Sequence, residues 1–429
     1  MNRNTRLCLF FLLTAVAGVQ WTCGEPASKS SPQGARTTAR KALPPAEVRK
    51  PQAATPKPVR GLWVLCEGSA RVLEAPERID ALITDAISLA ATDLFVQVYR
   101  GGRAWFDSSE VEAGPYAEII RRTGEDPLSR LLMRAHAAGL RVHAWVNVFS
   151  LANRRDATLL NELGRDAAAV DHMGRSVLDY PNFEVPEPDR RYYRMGTPAL
   201  WLDPAAPGVA EKLTTVFADL VARYPTLDGL HLDYFRYPDV LPFSPGARFG
   251  VGLHFGYGAP TRERFQRETS LEAPFGTSLQ NADRWDDWRR DRMTQTLARL
   301  RGAVHAVRPQ LLLSAAVWAY ADRAYLSIFQ DWRRWLEEGW LDFAVPMLYT
   351  KDDQLFREIV RAFAGEPNAA RIWIGLGSWL FASEPQRALA QVKEVRAAGN
   401  AGHALFSYDA LAEHPKLREA LASEVKREF

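Results

Sequence analysis

From residue 61 onward, apolar segments with the length of a β-strand alternate with segments that have the pattern of a helix, and this alternation constrains the fold most strongly. The helical segments are predicted at 76–90, 127–138, 207–224, 285–307, 328–338, 354–364 and 385–398. The predicted strands are GLWVLCE (61–67), DLFVQVY (93–99), RVHAWVNVF (141–149), DGLHLDYF (228–235), QLLLSAAVW (310–318), LDFAVPMLY (341–349), RIWIGLGS (371–378) and GHALFSY (402–408).

Eight strands separated by helices predict an α/β fold, namely a (β/α)8 TIM barrel with enlarged loops after strands 3 and 4. The structural alternative is a doubly wound open sheet, but no glycine-rich phosphate-binding turn follows the first strand. Loops usually carry the binding residues of such a scaffold. We therefore expect the long segments 151–200 and 239–260 to form the walls of a cleft.

Residues 1–23 have the layout of a secretory signal peptide. Arg3 and Arg6 precede an apolar run at 7–18 that is too short to span a bilayer. Cys23 offers an alternative, in which the protein is a bacterial lipoprotein attached to a membrane through that residue. We expect export in either case, to the periplasm, to the outer membrane as a lipoprotein, or to the extracellular space.

The segment 24–60 is rich in Pro, Ala, Ser and Lys without hydrophobic periodicity, which predicts a disordered linker before a barrel domain at 61–429. Residues 1–60 carry 10 Lys and Arg against 2 Asp and Glu, whereas 61–429 carries 44 against 49. The barrel domain is thus mildly acidic. Because nucleic-acid binding needs a basic face, we expect no nucleic-acid partner.

Side-chain parity along the strands predicts which residues face the barrel axis. In strand 4, Leu230 and Leu232 share one face, and His231 and Asp233 share the other. The carboxyl ends of all strands meet at one mouth of a parallel barrel, where the active sites of TIM barrels lie. If the polar parity faces the axis, the residues at this mouth include Glu67, Tyr99, Asn147, Asp233 and Tyr349.

Asp233 is the leading candidate for a catalytic carboxylate, because a carboxylate at the exit of a central strand needs a partner or a function. Arg236 is near enough in sequence to keep Asp233 ionised, which would suit a nucleophile or an electrostatic stabiliser better than a proton donor. His231 lies deeper and is either a hydrogen-bonded core residue or a ligand-binding residue. A structural Asp–Arg pair that braces the loop is the alternative explanation for Asp233.

Cleavage of a glycosidic bond needs a second carboxyl group, usually with a raised pKa. Glu67 is preferred because its apolar neighbours would favour the protonated form, and Asp322 is retained beside it. The sequence leaves three further candidates open, which are Asp239, Asp352 and Asp409.

Aromatic residues cluster near the predicted mouth, and aromatic rings stack on the C–H faces of sugars, although tryptophan is also common in cores. The expected substrate-binding residues are Tyr99, Arg100, Trp145, Asn147, His231, Arg236, Tyr237, Trp318, Tyr349 and Trp379. The eight histidines form no zinc motif, and no Gly-x-Ser-x-Gly elbow or Cys–His pairing is present. We therefore expect no metal and no cofactor.

Five segments resemble the bacterial glycosyl hydrolase-like family 10: RGLWV (60–64), GLRVHAWVNVF (139–149), WLDPAAPGVAEKL (201–213), DGLHLDYFRYP (228–238) and LDFAVPMLYT (341–350). The resemblance implies a TIM-barrel glycosidase of the cell envelope, and at least one member cuts peptidoglycan strands stripped of stem peptides. Asp233 matches the acidic residue of the strand-4 pattern. Members of the peptidoglycan-cutting branch often have two adjacent acids there, where this chain has Asp233 and Tyr234.

These observations predict an exported glycoside hydrolase that acts on a cell-envelope polysaccharide through a carboxylate pair that includes Asp233. A non-catalytic carbohydrate-binding barrel of the envelope is the alternative from another class. A hydrolase of a different linkage on the same scaffold is a third option, since fold does not determine function. The sequence does not predict the oligomeric state.

Overall fold

The computed structural model describes residues 58–242 and 253–425, and it confirms all eight predicted strands as parallel strands of one sheet. A short additional strand, Arg103–Ala104, pairs antiparallel with the second of them. The sheet closes into a barrel because the first strand pairs with both the second and the last. The strands are β1 Val59–Val64, β2 Asp93–Arg100, β3 Arg141–Asn147, β4 Gly229–Asp233, β5 Leu312–Trp318, β6 Phe343–Met347, β7 Ile374–Gly377 and β8 Gly402–Phe406.

A helix follows every strand on the outside of the barrel, as the (β/α)8 fold requires. These helices are α1 Pro76–Ser88, α2 Pro127–Ala137, α3 Val209–Arg223, α4 Ala282–Val307, α5 Trp332–Glu337, α6 Asp353–Ala364, α7 Pro385–Ala397 and α8 Pro415–Val425. Within the described ranges, no helix is both long and apolar enough to cross a membrane.

Some helices were not predicted, and one predicted helix is displaced. The additional helices are Gly114–Thr123, Thr158–Leu163, Ala259–Thr269, Ala321–Ser327 and Tyr408–Glu413. The helix predicted at 328–338 begins only at Trp332, because Phe329 takes a left-handed backbone conformation with φ +55°. The side chain of Gln330 in this turn accepts a hydrogen bond from the backbone N–H of Trp318 at 2.9 Å, which ties the turn to β5.

The predicted parity holds for β4 and its neighbours. Leu230 and Leu232 pack outward against the helices, whereas an aromatic cluster that includes Trp63, Phe95 and Trp145 fills the barrel. Two of its rings, Phe343 and Trp373, stack with centroids 3.6 Å apart.

Strand β2 departs from the parity rule near its end. Its register against β3 shifts between Gln97 and Tyr99, so a bulge turns Tyr99 away from the axis. The Tyr99 ring packs edge-on against Phe217 of α3 with centroids 5.3 Å apart, and its hydroxyl is buried without a hydrogen bond to the described residues. The prediction that Tyr99 lies at the mouth and binds substrate is therefore wrong.

The enlarged loops after β3 and β4 join each other on one side of the mouth. The short strand Tyr193–Met195 pairs antiparallel with Val240–Pro242, and a bridge links Asp171 to Phe255. The segment 243–252 of the second loop, the leader 1–23 and most of the linker 24–60 lie outside the described residues. Strand β1 begins at Val59, before its predicted start at 61.

Candidate active site

Asp233 is the last residue of β4, and inward parity directs its side chain to the base of the mouth. The carboxylate is almost fully buried and accepts two hydrogen bonds. The indole N–H of Trp145 on β3 donates to Oδ2 at 3.1 Å, and the backbone N–H of Tyr234 donates to Oδ1 at 2.7 Å. Both donors hold the carboxyl group in one orientation.

Burial raises the pKa of Asp233 from 3.8 to about 6, although both hydrogen bonds and the Arg236 charge act in the opposite direction. Loss of hydration is the largest effect, because a carboxylate in low-dielectric surroundings is less stable than the neutral acid. Arg236 favours the ionised form of Asp233, as expected, but burial outweighs its effect. A pKa near 6 is suited to a carboxyl group that donates and accepts protons.

Arg236 instead forms an ion pair with Asp239. The Arg236 Nη1 to Asp239 Oδ1 distance is 2.6 Å, and both side chains are largely buried. The guanidinium lies over the ring of Trp201 at 4.9 Å from its centroid. Asp239 is thus a carboxylate with a fixed cationic partner at the same mouth as Asp233.

Tyr234 changes the chain direction directly after Asp233. Its φ of +51° lies in the left-handed region, which non-glycine residues adopt rarely. The aromatic ring packs on Trp201 with centroids 5.5 Å apart. This turn brings the backbone N–H of Tyr234 onto the Asp233 carboxyl group, so the local strain serves the geometry of the site.

A chain of amide contacts lies beside Asp233. The Gln97 side-chain N–H donates to the Asn147 Oδ1 at 3.1 Å, and the Gln97 Oε1 accepts from the Cys66 thiol at 3.2 Å. Burial raises the pKa of that thiol well above its ordinary value, which makes Cys66 an unreactive packing residue. The carbonyl oxygen of Asn147 is engaged, so its amide nitrogen is the group that can donate to a ligand.

Asp233 and Asp239 line a cleft of about 460 Å³ at the mouth of the barrel, together with Gln97 and Asn147. Seven of the predicted site residues line it: Arg100, Trp145, Asn147, Asp233, Arg236, Trp318 and Tyr349. Ten further lining residues are Leu65, Gln97, Thr197, Tyr234, Asp239, Ala319, Tyr320, Arg323, Met347 and Phe406. Trp379 stands at the rim, 41% exposed, with its ring edge-on to Tyr349 at 4.8 Å between centroids.

Both residues proposed as the second carboxylate are placed elsewhere. Glu67 has two cationic neighbours instead of apolar surroundings, since Arg100 donates to one oxygen and Arg103 donates to the other at 2.7 Å. Asp322 lies on the helix Ala321–Ser327 and borders a separate small pocket. Within the described residues, Asp239 is the other carboxylate that lines the cleft with Asp233.

His231 lies below the cleft and is fully buried. The Trp63 indole N–H donates to its Nε2 at 3.1 Å, so its Nδ1 carries the proton and donates to the Ser314 hydroxyl at 2.9 Å. Burial lowers the pKa of His231 well below 6.5, and the ring stays neutral. The assignment of His231 to substrate binding is therefore corrected to a core role.

Tyr237 is also a core residue instead of a ligand-binding one. Its ring is 1% exposed, and its hydroxyl donates to Asp203 at 3.4 Å. Asp203 is itself fully buried and also accepts from the Thr261 hydroxyl at 2.8 Å. This cluster joins the loop after β3 to the helix Ala259–Thr269 in the loop after β4.

Sequence reasoning placed Asp239 among several candidates and missed Gln97 as a site residue, although Gln97 has the inward parity of β2. A signal that could have singled out Asp239 is its spacing from Arg236, since residues three apart after a strand can form a turn with a charge pair. Nothing in the sequence indicated that Thr197, in the loop after β3, would reach the cleft. In the part of the chain that the structure describes, no cluster of three or more His, Cys, Asp or Glu residues could hold a metal ion.

Comparison with known proteins gives a family match and several relatives. The sequence model of the glycosyl hydrolase-like 10 family matches residues 58–373. Glycosyl hydrolase DigH of Escherichia coli K12 is 24% identical over 419 residues, which covers 87% of this chain and 84% of DigH. Glycosyl hydrolase YngK of Bacillus subtilis is 22% identical over 298 residues, covering 65% of this chain and 50% of YngK.

Solved structures show the same fold. The glycoside hydrolase domain of PgaB (BpsB) from Bordetella bronchiseptica superposes with a TM-score of 0.57 at 17% identity, covering 85% of this chain and 98% of that domain. An α-L-fucosidase from Paenibacillus thiaminolyticus superposes with a TM-score of 0.53 at 12% identity, covering 86% of this chain and 49% of the fucosidase. At these identities, the likeness establishes the barrel fold alone.

Proposed function

The chain belongs to the glycosyl hydrolase-like 10 family, and from this premise we propose that it is an exported glycoside hydrolase that cleaves a cell-envelope polysaccharide. One observation carries the proposal: a buried carboxyl group with a pKa of about 6 stands at the base of an aromatic cleft. That pKa allows Asp233 to donate a proton near neutral pH and to take it back.

In the proposed reaction, the protonated Asp233 donates its proton to the glycosidic oxygen while the bond from that oxygen to the anomeric carbon breaks. The second carboxylate supplies the negative charge that the oxocarbenium-like transition state requires. We assign this role to Asp239, which lines the same cleft and is held by Arg236 at 2.6 Å. Water then supplies the hydroxyl group of the new reducing end, and its remaining proton passes to the ionised Asp233, which restores the acid.

The lining of the cleft and the leader support the proposed substrate class. Trp318 and Tyr349 line the cleft and Trp379 stands at its rim, and such rings suit the C–H faces of sugar units. The signal-peptide pattern at 1–23 supports export, so the glycans of the envelope are the polysaccharides within reach. Peptidoglycan glycan strands are the first substrate to test, because the family resemblance implies them.

The decisive experiment measures reducing ends released from peptidoglycan sacculi, with and without amidase treatment, by the purified full-length protein. Asp233→Asn should lower the release rate at least about 100-fold, because an acid–base group contributes 10²–10⁴-fold. Asp239→Asn should also lower it, because the transition state loses its stabilising charge. Asp322→Asn is the matched control, since its carboxylate borders a different pocket, and it should retain activity.

A non-catalytic carbohydrate-binding barrel is the second candidate. The ion pair of Asp239 with Arg236 favours it, because this carboxylate already has a fixed partner within the protein. That function predicts binding of glycan by wild type, Asp233→Asn and Asp239→Asn alike, with no product from any of them. Hydrolysis by the wild type alone would exclude it.

The export proposal has its own test. If Cys23 is lipidated, radiolabelled palmitate will be incorporated into the wild type and not into Cys23→Ser. If the leader is a plain signal peptide, neither protein will carry label and both will leave the cytoplasm. Retention of the wild type in the cytoplasm would contradict export.

A further inference from the structure

Arg323 lines the cleft and carries a guanidinium group that has no ion pair among the described residues. Its Cζ lies over the ring of Trp318, 5.0 Å from the ring centroid. Its Nε is buried and has no hydrogen-bond partner among the described residues. The terminal nitrogens of the guanidinium also have no hydrogen-bond partner among the described residues and, unlike Nε, are not buried, so they are the donors open to a ligand in the cleft.

The other cations of the cleft are already paired. Arg100 donates to Glu67, and Arg236 donates to Asp239 at 2.6 Å. The acidic neighbour of Arg323 in sequence, Asp322, is exposed and borders a different pocket. The segment 243–252 contains no Asp or Glu. Arg323 is therefore the lining cation whose charge the described part of the protein leaves unneutralised.

From this arrangement we infer that Arg323 binds the carboxylate of an acidic sugar unit in the substrate. The planar guanidinium can donate two parallel N–H bonds to a carboxylate, and the Trp318 side chain beside it can contact the same sugar. The inference deepens the proposed function and rests on the cleft being a saccharide site. It makes the substrate an anionic glycan and assigns Arg323 the role of a specificity-determining residue.

The position of Arg323 favours a carboxylate that is a substituent of the sugar unit in the cleft over a charged group elsewhere on the substrate. A second guanidinium, that of Arg236, also lies near the Trp318 ring, 5.6 Å from its centroid. A sugar unit that contacts Trp318 would place its substituents within reach of Arg323. A neutral sugar would leave the Arg323 guanidinium without a charged partner.

The test measures binding by isothermal titration with full-length protein that carries Asp233→Asn to prevent turnover. The probes are oligogalacturonate and amidase-stripped peptidoglycan oligomers, each compared with its carboxyl-reduced form. We expect one acidic probe to bind about tenfold or more tightly than its reduced form, as charge-assisted bonds of this kind contribute. Arg323→Gln should remove that difference and leave binding of the reduced form unchanged, which also shows that the variant is folded.

Two further variants make the result specific. Arg323→Lys keeps the positive charge but cannot donate two parallel N–H bonds, so it should keep part of the preference for the acidic probe. Arg357→Gln removes an exposed guanidinium on α6, outside the cleft, and should keep all of it. The inference is overturned if acidic and reduced forms bind equally, if neither acidic probe binds, or if Arg323→Gln preserves the preference.

The same measurements separate this inference from the proposed function. Binding of an acidic probe through Arg323 without hydrolysis of any glycan would support the carboxylate site and overturn the glycosidase. Hydrolysis of a neutral glycan that is lost in Asp233→Asn, with no preference for acidic forms, would support the glycosidase and overturn the carboxylate site.

Discussion

At the scale of single residues, the raised pKa of Asp233 favours proton transfer but lowers the stability of the folded protein at neutral pH. Burial raises its pKa from 3.8 to about 6, so the folded state holds the proton more strongly than the unfolded state does. The associated stabilisation is complete below pH 4 and is lost as the pH rises through 6. Above pH 6 the folded protein carries a buried carboxylate at a cost of about 3 kcal/mol relative to acid conditions.

Asp233→Asn should therefore stabilise the protein near neutral pH. We expect its free energy of unfolding to exceed that of wild type by about 1–3 kcal/mol at pH 7.5, with the gap closing towards pH 4, because asparagine removes the buried charge. Urea denaturation at several pH values measures the gap, with the exposed Asp322→Asn as control. A gap that does not change with pH would contradict this explanation.

Trp145 tunes the same carboxyl group. Its indole N–H donates to Asp233 Oδ2 and lowers the pKa of Asp233. With Asp233 as the general acid, kcat/KM of the wild type should fall above about pH 6, and Trp145→Phe should shift this fall to higher pH. Trp340→Phe is the matched control, because it removes an indole bond to Glu338 on the outside of the barrel. An unshifted profile in Trp145→Phe would contradict the assignment.

At the scale of elements, the strands of the barrel pack so closely that side-chain size is limited at some positions. Gly229 is the first residue of β4, which lies between β3 and β5. A Cβ atom at this position would lie 2.1 Å from the His143 Nδ1 and 2.9 Å from the Leu312 carbonyl oxygen. His143 cannot move aside easily, because it is fully buried and its Nε2 lies 2.8 Å from Asp93 Oδ1. The missing side chain of Gly229 is thus a requirement of the barrel interior.

Gly229→Ala should lower the free energy of unfolding by about 3 kcal/mol or prevent folding altogether, because overpacking in a rigid core forces a backbone shift. Gly302→Ala is the control: Gly302 lies inside α4 with nothing within 4 Å of the added atom, and alanine should stabilise that helix by roughly 0.5–1 kcal/mol. Thermal and urea denaturation measure both. Equal stability of Gly229→Ala and wild type would contradict the packing argument.

At the scale of the whole molecule, the two enlarged loops support each other as one wall of the cleft. Asp203 after β3 is fully buried and depends on the Thr261 hydroxyl, 2.8 Å away in the other loop, and on the Ala205 backbone N–H at 2.9 Å. Burial raises the pKa of Asp203, so the loss of a donor would leave a buried carboxyl group short of partners.

Thr261→Val should therefore reduce the free energy of unfolding by about 1–3 kcal/mol at neutral pH, since it keeps the shape and removes the donor. Thr215→Val on the exposed side of α3 loses a hydroxyl that bonds only to its own helix and should change stability by less than about 0.5 kcal/mol. Urea denaturation compares the two. Similar effects from both substitutions would contradict the role of Asp203.

The sequence by itself determined the eight alternating strands and helices, the inward parity of β4 and the position of Asp233, because these follow from local hydrophobic periodicity. Only the tertiary structure decided that a bulge turns Tyr99 outward, that Glu67 pairs with Arg100 and Arg103, and that burial outweighs Arg236 in the pKa of Asp233. These properties depend on contacts between distant parts of the chain and on the exclusion of water, and neither is encoded in the spacing of neighbouring residues.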